Sequence, residues 1–151
     1  DKYSVITMGD ELHIEITSEA ETDTKLEVEE RGHEAVVDEP SQFGGDDEGP
    51  NPLEYMFTGL AGCLNVTIHH IANERDIQVQ NLEINVTGDI DLGKFMTGKG
   101  ERAGFQDINA EIVIETDMDS ETETSLIEEA EERCPVSDNL QHETSVSVNR
   151  D

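Results

Sequence analysis

A chain of 151 residues is long enough to form one domain with a proper hydrophobic core. Its 37 acidic residues against nine lysines and arginines give a formal net charge of −28. This charge argues against nucleic acids and anionic membranes as partners, because proteins bind them by neutralising their phosphates with lysine and arginine side chains. So acidic a chain could be disordered, but alternating apolar runs and one long apolar segment predict a folded protein. Acidic residues scattered over the polar faces are typical of organisms that keep molar salt in the cytoplasm, where screening acts over about 3 Å.

No run of 18 or more apolar residues is present, so the sequence predicts no membrane-spanning helix. The chain does not open on a basic and then apolar leader, although its first residue is Asp rather than Met and the true start is therefore open. We expect a cytoplasmic protein. In that reducing compartment, two cysteines are more often catalytic, redox-active or simply buried than paired in a structural disulfide.

The first third of the chain alternates apolar and polar residues, a pattern typical of strands. After the first predicted strands, which turn at Gly9-Asp10, a second hairpin is predicted about the turn Arg31-Gly32, with strands at 26–28 and 35–37. Residues 38–52 hold three prolines and three glycines and are predicted to form a loop. The first predicted strands turn at Gly9-Asp10 and contain Tyr3, Val5, Leu12, Ile14 and Ile16.

A long helix is predicted from Asn51 to about Glu74. Asn51 is a favourable N-cap, Pro52 fits the first helical position, and Glu54 stands where the acid of a capping box belongs. The residues that follow are apolar or small on nearly every face up to about Ala72, which predicts a buried helix at the centre of the molecule. One chain of this size has too few strands to cover such a helix, so we expect a homodimer.

The second half of the chain predicts strands at 79–86 and 108–114, separated by a loop over 93–105. Ser120 and Glu123 resemble a second capping box, which would begin a helix that runs to about Arg133. Pro135 cannot continue that helix but can begin another, and a final strand is predicted at 144–148. The chain is therefore predicted to be a single α+β domain over residues 1–151, with an antiparallel sheet wrapped around one long buried helix.

The two cysteines are the best candidates for chemistry. Neither belongs to a Cys-x-x-Cys pair, which argues against a zinc ribbon or a thioredoxin-type site. A lone cysteine on a buried helix, as at Cys63, is more often an inert small hydrophobic residue. Cys134 precedes a proline that begins a helix, where free backbone N–H groups favour a thiolate. The two could form a peroxidatic and resolving pair if the fold brought them together.

The remaining polar residues indicate no cofactor and no metal. His69 and His70 are neighbours on a helix and point about 100° apart, so they are poor co-ligands. The glycines of 43–50 lack the Lys-Ser/Thr of a phosphate loop. The capping role explains Glu54 without any catalytic function.

Three segments together resemble the OsmC/Ohr family, the osmotically inducible and organic hydroperoxide resistance proteins, in an acidic, haloarchaeal-type form. They are "GGDDEGPNPLEYMFTGLAGC", the helix ending in "HHIANERDI", and "EERCPVSDNL", with "RAGFQDI" entering a strand between them. The resemblance spans about residues 25 to 149.

The resemblance implies an intertwined homodimer with long central helices enclosed by sheets and active sites at the subunit interface. It also implies that Cys63 attacks an organic hydroperoxide and becomes a sulfenic acid, with which Cys134 then forms a disulfide. A dithiol such as a dihydrolipoyl protein would reduce that disulfide.

The chain departs from the family at the groups that orient the thiolate. Peroxidase members place an Arg in the N-terminal region and a Glu ten residues before the first cysteine. Leu53 occupies the latter position here and Glu54 follows it, while the first arginine is Arg31, in the predicted hairpin turn. Arg102 is a further candidate cation.

The sequence leaves two functions open. The first is the peroxidase; the second is a non-catalytic or thiol-sensing protein that binds a small apolar ligand between its subunits. A hydrolase is disfavoured, because the chain shows no Ser/His/Asp order and no positioned pair of carboxylates.

Overall fold

The structure, a computed structural model, describes residues 11–151, and the chain divides into two compact units that meet in sequence between Tyr55 and Met56. Antiparallel strands and helices confirm the predicted α+β class. The strands form two sheets, one of three strands in the order β1-β2-β3 and one of β4 and β5. The single-domain organisation stays a prediction. In chain order the elements are β1 (Thr17–Ala20), β2 (Leu26–Glu30), β3 (His33–Val37), α1 (Pro52–Glu74), β4 (Val79–Ile90), α2 (Gly93–Thr97), β5 (Phe105–Thr116), α3 (Ser120–Arg133) and α4 (Pro135–Gln141).

The predicted hairpin about Arg31-Gly32 is confirmed in the first unit. Arg31 and Gly32 both have positive φ, 51° and 82°, as a two-residue type I′ turn requires, and β2 pairs with β3 in register from Leu26 to Val37. Only a residue without a Cβ adopts such angles at little cost, which explains the glycine.

The strands predicted at the two ends of the chain do not form within residues 11–151. β1 begins only at Thr17, and residues 11–16 have no regular structure, with Leu12, Ile14 and Ile16 exposed. Residues 144–148 form no strand, and Val148 is 93% exposed. Alternation describes a segment able to pair, but a strand also needs a neighbour, and β1 meets β2 over four residues only. Tyr3, Val5 and the Gly9-Asp10 turn lie outside the described residues.

The loop predicted at 38–52 is confirmed, apart from one 3₁₀ turn at Ser41–Phe43, and a buried carboxylate organises it. One oxygen of Asp38 accepts hydrogen bonds from the Thr24 hydroxyl and the Glu39 N–H, both at 2.8 Å, and the other accepts from the Glu48 N–H at 3.1 Å. Burial by itself raises the pKa of Asp38, but these donors, with the backbone N–H of Asp46, outweigh it and lower the pKa below its ordinary value.

We expect Asp38→Asn to lower the melting temperature by several degrees, because the new NH₂ group would face backbone donors in place of an acceptor oxygen. Since the native contacts lower the pKa of Asp38, its contribution to stability is complete above the ordinary carboxyl value of about 4 and is lost as the pH falls through the lowered value. Thermal melts of the parent and the variant should therefore differ at pH 7 and converge in acid. Asp23→Asn, an exposed change of the same kind, should melt like the parent at both pH values.

The second unit holds the core. β4 and β5 pair over their whole length, with Leu82 opposite Ile114 and Ile84 opposite Ile112, and both strands are four or five residues longer than predicted. One cluster of apolar side chains joins α1, α3 and one half of this sheet, and a second joins α1, α4 and the other half. The buried members of the first are Ile68, Ile71, Ala72, Ile77, Leu126 and Ala130; those of the second are Leu60, Leu64 and Cys134.

Helix α1 has the predicted bounds, but burial on every face is wrong for this chain alone. Leu60, Leu64, Ile68 and Ile71 are buried in the core along one stripe. Val66 is 65% exposed, and other positions between the stripe residues are exposed as well, so α1 is amphipathic within one chain. Nothing in residues 11–151 is a helix both long enough and apolar enough to cross a membrane.

The second predicted capping box does not form, and the N-cap of α3 lies one residue earlier than predicted. The N-cap of α3 is Asp119, whose side chain accepts a hydrogen bond from the Thr122 N–H at 2.8 Å. Glu123 instead accepts from the backbone and the hydroxyl of Thr116, at 2.9 and 2.8 Å, and so ties α3 to the end of β5. Asp and Ser are both good N-caps, so the sequence did not distinguish them.

Candidate active site

Helix α1 places Cys63 against the β4–β5 sheet. The cysteine is half-buried and packs with Leu60, about one turn earlier on the helix, and with Leu64, the next residue. Its carbonyl oxygen accepts a hydrogen bond from the Thr67 hydroxyl at 2.7 Å, in addition to the helical ladder. The helix therefore fixes the backbone at Cys63 while leaving its side chain partly accessible.

Cys134 stands at the break between α3 and α4, as the sequence predicts. It is fully buried and is the N-cap of α4, where its sulfur accepts a hydrogen bond from the Ser137 N–H at 3.5 Å. Pro135 has no N–H to satisfy and begins α4. The Cys-Pro-x-Ser sequence thus fixes the position of the second sulfur.

The fold brings the two cysteines together although 71 residues separate them in sequence. Cys63 packs against the apolar cluster that contains Cys134, and the two thiols are close enough for Cys63 to affect the pKa of Cys134. Both are free thiols. The distance between them, which the sequence left open, is therefore short.

The expectation that Cys134 favours a thiolate is wrong. Burial raises the pKa of its thiol above the ordinary value, the N–H groups of Ser137 and Val136 oppose this only in part, and the nearby Cys63 raises it further. Two backbone donors at the start of a seven-residue helix do not compensate for the loss of water around a buried sulfur. Cys134 accordingly keeps its proton at neutral pH.

A groove of about 460 Å³ lies beside this pair, between β5 and the helices. Leu60 and Leu64 contribute to it from α1, so the residues that pack around Cys63 also form part of its wall. The rest of the wall combines apolar and polar side chains from β5, α3, α4 and the loop before β5. The apolar residues are Phe105, Ile108, Ala110, Ile112, Ile127 and Leu140, and the polar ones are Arg102, Gln106, Asp107, Asn109, Glu131, Ser137 and Gln141.

The three other candidate residues have different surroundings. Arg102 is exposed and lines the groove. Arg31 occupies the β2–β3 turn in the first unit, where its guanidinium pairs with Glu30 at 2.7 Å. Glu54 forms the predicted capping box, in which its carboxylate accepts from the Asn51 N–H at 2.9 Å and Asn51 accepts from the Glu54 N–H at 2.8 Å.

Sequence reasoning missed most of the groove. Ser137 could have been found, because its place in Cys-Pro-Val-Ser fits the third residue of a capped helix. The side chains of Phe105, Glu131 and Gln141 had no such signal, since they come from three separate elements. Over the described range 11–151, no three His, Cys, Asp or Glu residues are grouped so as to hold a metal ion.

Comparisons with known proteins agree on one family. The family model described as "OsmC-like protein" matches residues 45–149. The organic hydroperoxide resistance protein OhrB of Bacillus subtilis is 30% identical over 90 residues, which are 59% of this chain and 60% of that protein. The matched part therefore spans less than two thirds of that relative.

Solved structures share the fold. An OsmC-like protein from Mycoplasma pneumoniae is 22% identical, with a TM-score of 0.75 over 87% of this chain and 89% of the other. An organic hydroperoxide resistance protein from Elizabethkingia anophelis is also 22% identical, with a TM-score of 0.62 and the same two coverages. The Legionella pneumophila organic hydroperoxide resistance protein OsmC is 16% identical, with a TM-score of 0.61 over 86% and 90%.

Proposed function

Because the chain belongs to the OsmC-like protein family, we propose that it is a thiol-dependent peroxidase that reduces organic hydroperoxides through Cys63 and Cys134. The observation that carries the proposal is the contact between a half-buried thiol and a fully buried one beside a groove that is lined in part by apolar side chains. A peroxidatic and resolving pair requires contact between the two cysteines, whereas an inert cysteine that only fills space on a buried helix does not require it. The name of the Bacillus subtilis relative supports the substrate class.

Cys63 is the attacking residue in this proposal, because it is the more accessible of the two. Its thiolate attacks the outer oxygen of the hydroperoxide, the O–O bond breaks, and the alcohol leaves after it takes up a proton. Cys63 is then a sulfenic acid. The apolar residues of the groove wall suit the organic part of such a substrate.

Cys134 is the resolving residue. Its thiol attacks the Cys63 sulfenic acid, a sulfur–sulfur bond forms, and hydroxide leaves with the Cys134 proton as water. The raised pKa of Cys134 is compatible with this order, since its sulfur has to act only after the sulfenic acid has formed. A dithiol then returns both cysteines to thiols, and no metal or organic cofactor takes part.

The homodimer and the roles of Arg31, Arg102 and Glu54 remain predictions. Val66 of α1, an apolar residue that is 65% exposed in one chain, supports a second copy as its cover. Arg102 is the cation best placed to affect the groove, because it is part of the groove wall.

Counting free thiols tests the proposal. The chain has two cysteines, and we expect one equivalent of cumene hydroperoxide in high-salt buffer to consume both thiols and yield one intramolecular disulfide. Hydrogen peroxide at the same concentration is a control for substrate class, and we expect it to react more slowly because it has no apolar part. Two thiols remaining after excess organic hydroperoxide would contradict the proposal.

The groove also favours a second candidate function, binding of a small apolar ligand without catalysis. Its volume of about 460 Å³ is in the range of small-molecule sites. In that case an apolar fluorescent probe would bind equally well to the parent and to a variant lacking both cysteines, and the thiol count would not change with peroxide.

A further inference from the structure

A chain of ion pairs joins the ends of helices α1 and α3 beside the second cysteine. Arg133, the last residue of α3, donates from both terminal nitrogens of its guanidinium to the carboxylate of Glu74, the last residue of α1, at 2.8 and 3.3 Å. One of those nitrogens also donates to Glu129 at 2.7 Å. Glu129 accepts in turn from Arg75, which directly follows α1. We call Glu74, Arg75, Glu129 and Arg133 the helix-end network.

The helix-end network uses charges that are scarce in this protein. The chain has nine lysines and arginines, and two of them lie here. The four side chains are between 30% and 46% exposed, so any single pair would contribute little to stability. A connected group that includes one bidentate arginine–carboxylate pair fixes its geometry better than separate surface pairs do.

Both carboxylates of the network are charged at neutral pH. The hydrogen bonds from Arg133 lower the pKa of Glu74, and those from Arg75 and Arg133 lower the pKa of Glu129. The arginines therefore face ionised partners over the whole neutral range.

The position of Arg133 sets that of Cys134, because the two residues are adjacent in the chain. After Cys134, helix α4 has only seven residues, and residues 142–151 have no regular structure. The apolar contacts of α3 with α1 are made by Ala130 and Leu126, about one and two turns before Arg133. The network thus attaches to α1 the end of α3 that lies nearest Cys134.

Disulfide formation tolerates little displacement of the two backbones. The sulfurs must come to about 2.05 Å from each other, with their Cα atoms about 4.4 to 6.8 Å apart. Cys63 is placed by α1 and Cys134 by the end of α3. A small shift between these helices would leave the thiols near each other but out of line for the reaction.

We infer that Arg133 is a positioning residue, which through its pairs with Glu74 and Glu129 holds Cys134 in line with Cys63 for disulfide formation; this inference rests on the proposed function. The step that it favours is attack of the Cys134 thiol on the Cys63 sulfenic acid, in which the sulfur–sulfur bond forms and water leaves. In the competing step, a second hydroperoxide gives one oxygen to the sulfenic acid, which becomes a sulfinic acid, and leaves as an alcohol.

The first experiment measures the competition between these two steps in Arg133→Gln. Without a reductant, each Cys63 sulfenic acid goes on either to the disulfide or to the sulfinic acid. We expect the cumene hydroperoxide concentration that sends half of Cys63 to sulfinic acid to fall about fivefold, the size of effect expected for a network of exposed ion pairs. Mass spectrometry of the Cys63 peptide gives this fraction. The rate of the first hydroperoxide reduction should equal the parent's, because Cys134 has no part in it.

Arg75→Gln is the matched control. It makes the same change in charge and removes one pair of the same network, but Arg75 is distant from Cys134 in sequence. It should lower the melting temperature about as much as Arg133→Gln and form the disulfide like the parent. Arg133→Lys keeps the charge and should restore most of the parent's behaviour. Glu74→Gln removes the bidentate partner and should act like Arg133→Gln, so it carries the test if Arg133→Gln does not fold.

An equilibrium with glutathione measures the same alignment without peroxide. Oxidised glutathione takes two electrons and two protons from the two cysteines, which gives the protein disulfide and two glutathione thiols. The equilibrium constant reports the effective concentration of one protein thiol at the other. We expect this constant to fall about fivefold in Arg133→Gln, by the same reasoning from exposed ion pairs, and to stay at the parent's value in Arg75→Gln.

The inference is overturned if Arg133→Gln matches the parent in both measurements, or if Arg75→Gln changes them as much as Arg133→Gln does. If peroxide consumes no thiol while the glutathione constant falls as expected, the peroxidase is wrong and the positioning role stands. If peroxide forms the disulfide and neither measurement responds to Arg133→Gln, the peroxidase stands and the positioning role is wrong.

Discussion

Replacing Cys63 with serine is expected to reduce organic hydroperoxide consumption to the uncatalysed background. Near neutral pH, a serine hydroxyl is neither ionised nor a nucleophile comparable to a thiolate, and Cys134 cannot take over because it is fully buried and its pKa is raised. The measurement is the rate of loss of cumene hydroperoxide with excess dithiol.

Serine is close to cysteine in size, and Cys63 is only half-buried, so the variant should stay folded. Circular dichroism and a thermal melt would verify this. The matched control is the same substitution at Cys134, which should keep a first turnover. Hydroperoxide consumption by Cys63→Ser at the parent's rate would assign the chemistry to another group and would remove the basis for the proposed mechanism.

The sequence predicted best where a few neighbouring residues decide the structure. Asn51, Pro52 and Glu54 set the start of α1 through contacts within one turn, and the capping box forms as expected. Arg31-Gly32 likewise sets the β2–β3 turn and thereby the register of its strands. Each of these signals depends on residues at most a few positions apart.

The structural predictions failed where contacts with residues distant in sequence decide the structure. Residues 11–16 and 144–148 alternate like strands, yet nothing in a short window shows whether another strand pairs with them. The all-round burial predicted for α1 failed for a similar reason, because apolar residues such as Val66 indicate a surface that prefers to be covered without saying what covers it. The homodimer and the halophilic source remain predictions, because the residues of one chain do not show what surrounds its surface.

The candidate site shows the same difference between features set by neighbouring residues and features set by distant contacts. The sequence identified both cysteines, the helix of the first and the helix break of the second, but neither their contact nor the groove that three further elements complete. It also gave the wrong direction for the pKa of Cys134. The N-cap position can be read from Pro135, whereas the burial that outweighs it depends on packing from α1 and the sheet. Asp38 was overlooked because an aspartate in an acidic loop has no local mark of burial.

Cys134→Ser is expected to affect a later step than Cys63→Ser. The first hydroperoxide should still be reduced, because Cys63 and the groove remain, but the sulfenic acid on Cys63 would lose the thiol with which it forms a disulfide. Sustained turnover should fall steeply, since a second hydroperoxide can oxidise the sulfenic acid to a sulfinic acid that thiols do not reduce.

Mass spectrometry separates the outcomes. After several equivalents of cumene hydroperoxide, the peptide containing Cys63 should carry two added oxygens in Cys134→Ser, whereas the parent should show a Cys63–Cys134 disulfide and no added oxygen. Cys63→Ser treated in the same way should show neither product, because its remaining thiol at Cys134 is buried and protonated. A parent without the disulfide, together with unchanged rates in both variants, would exclude the two-cysteine cycle. The groove would then be better explained as a binding site, since the contact between the two sulfurs would have no part in the reaction.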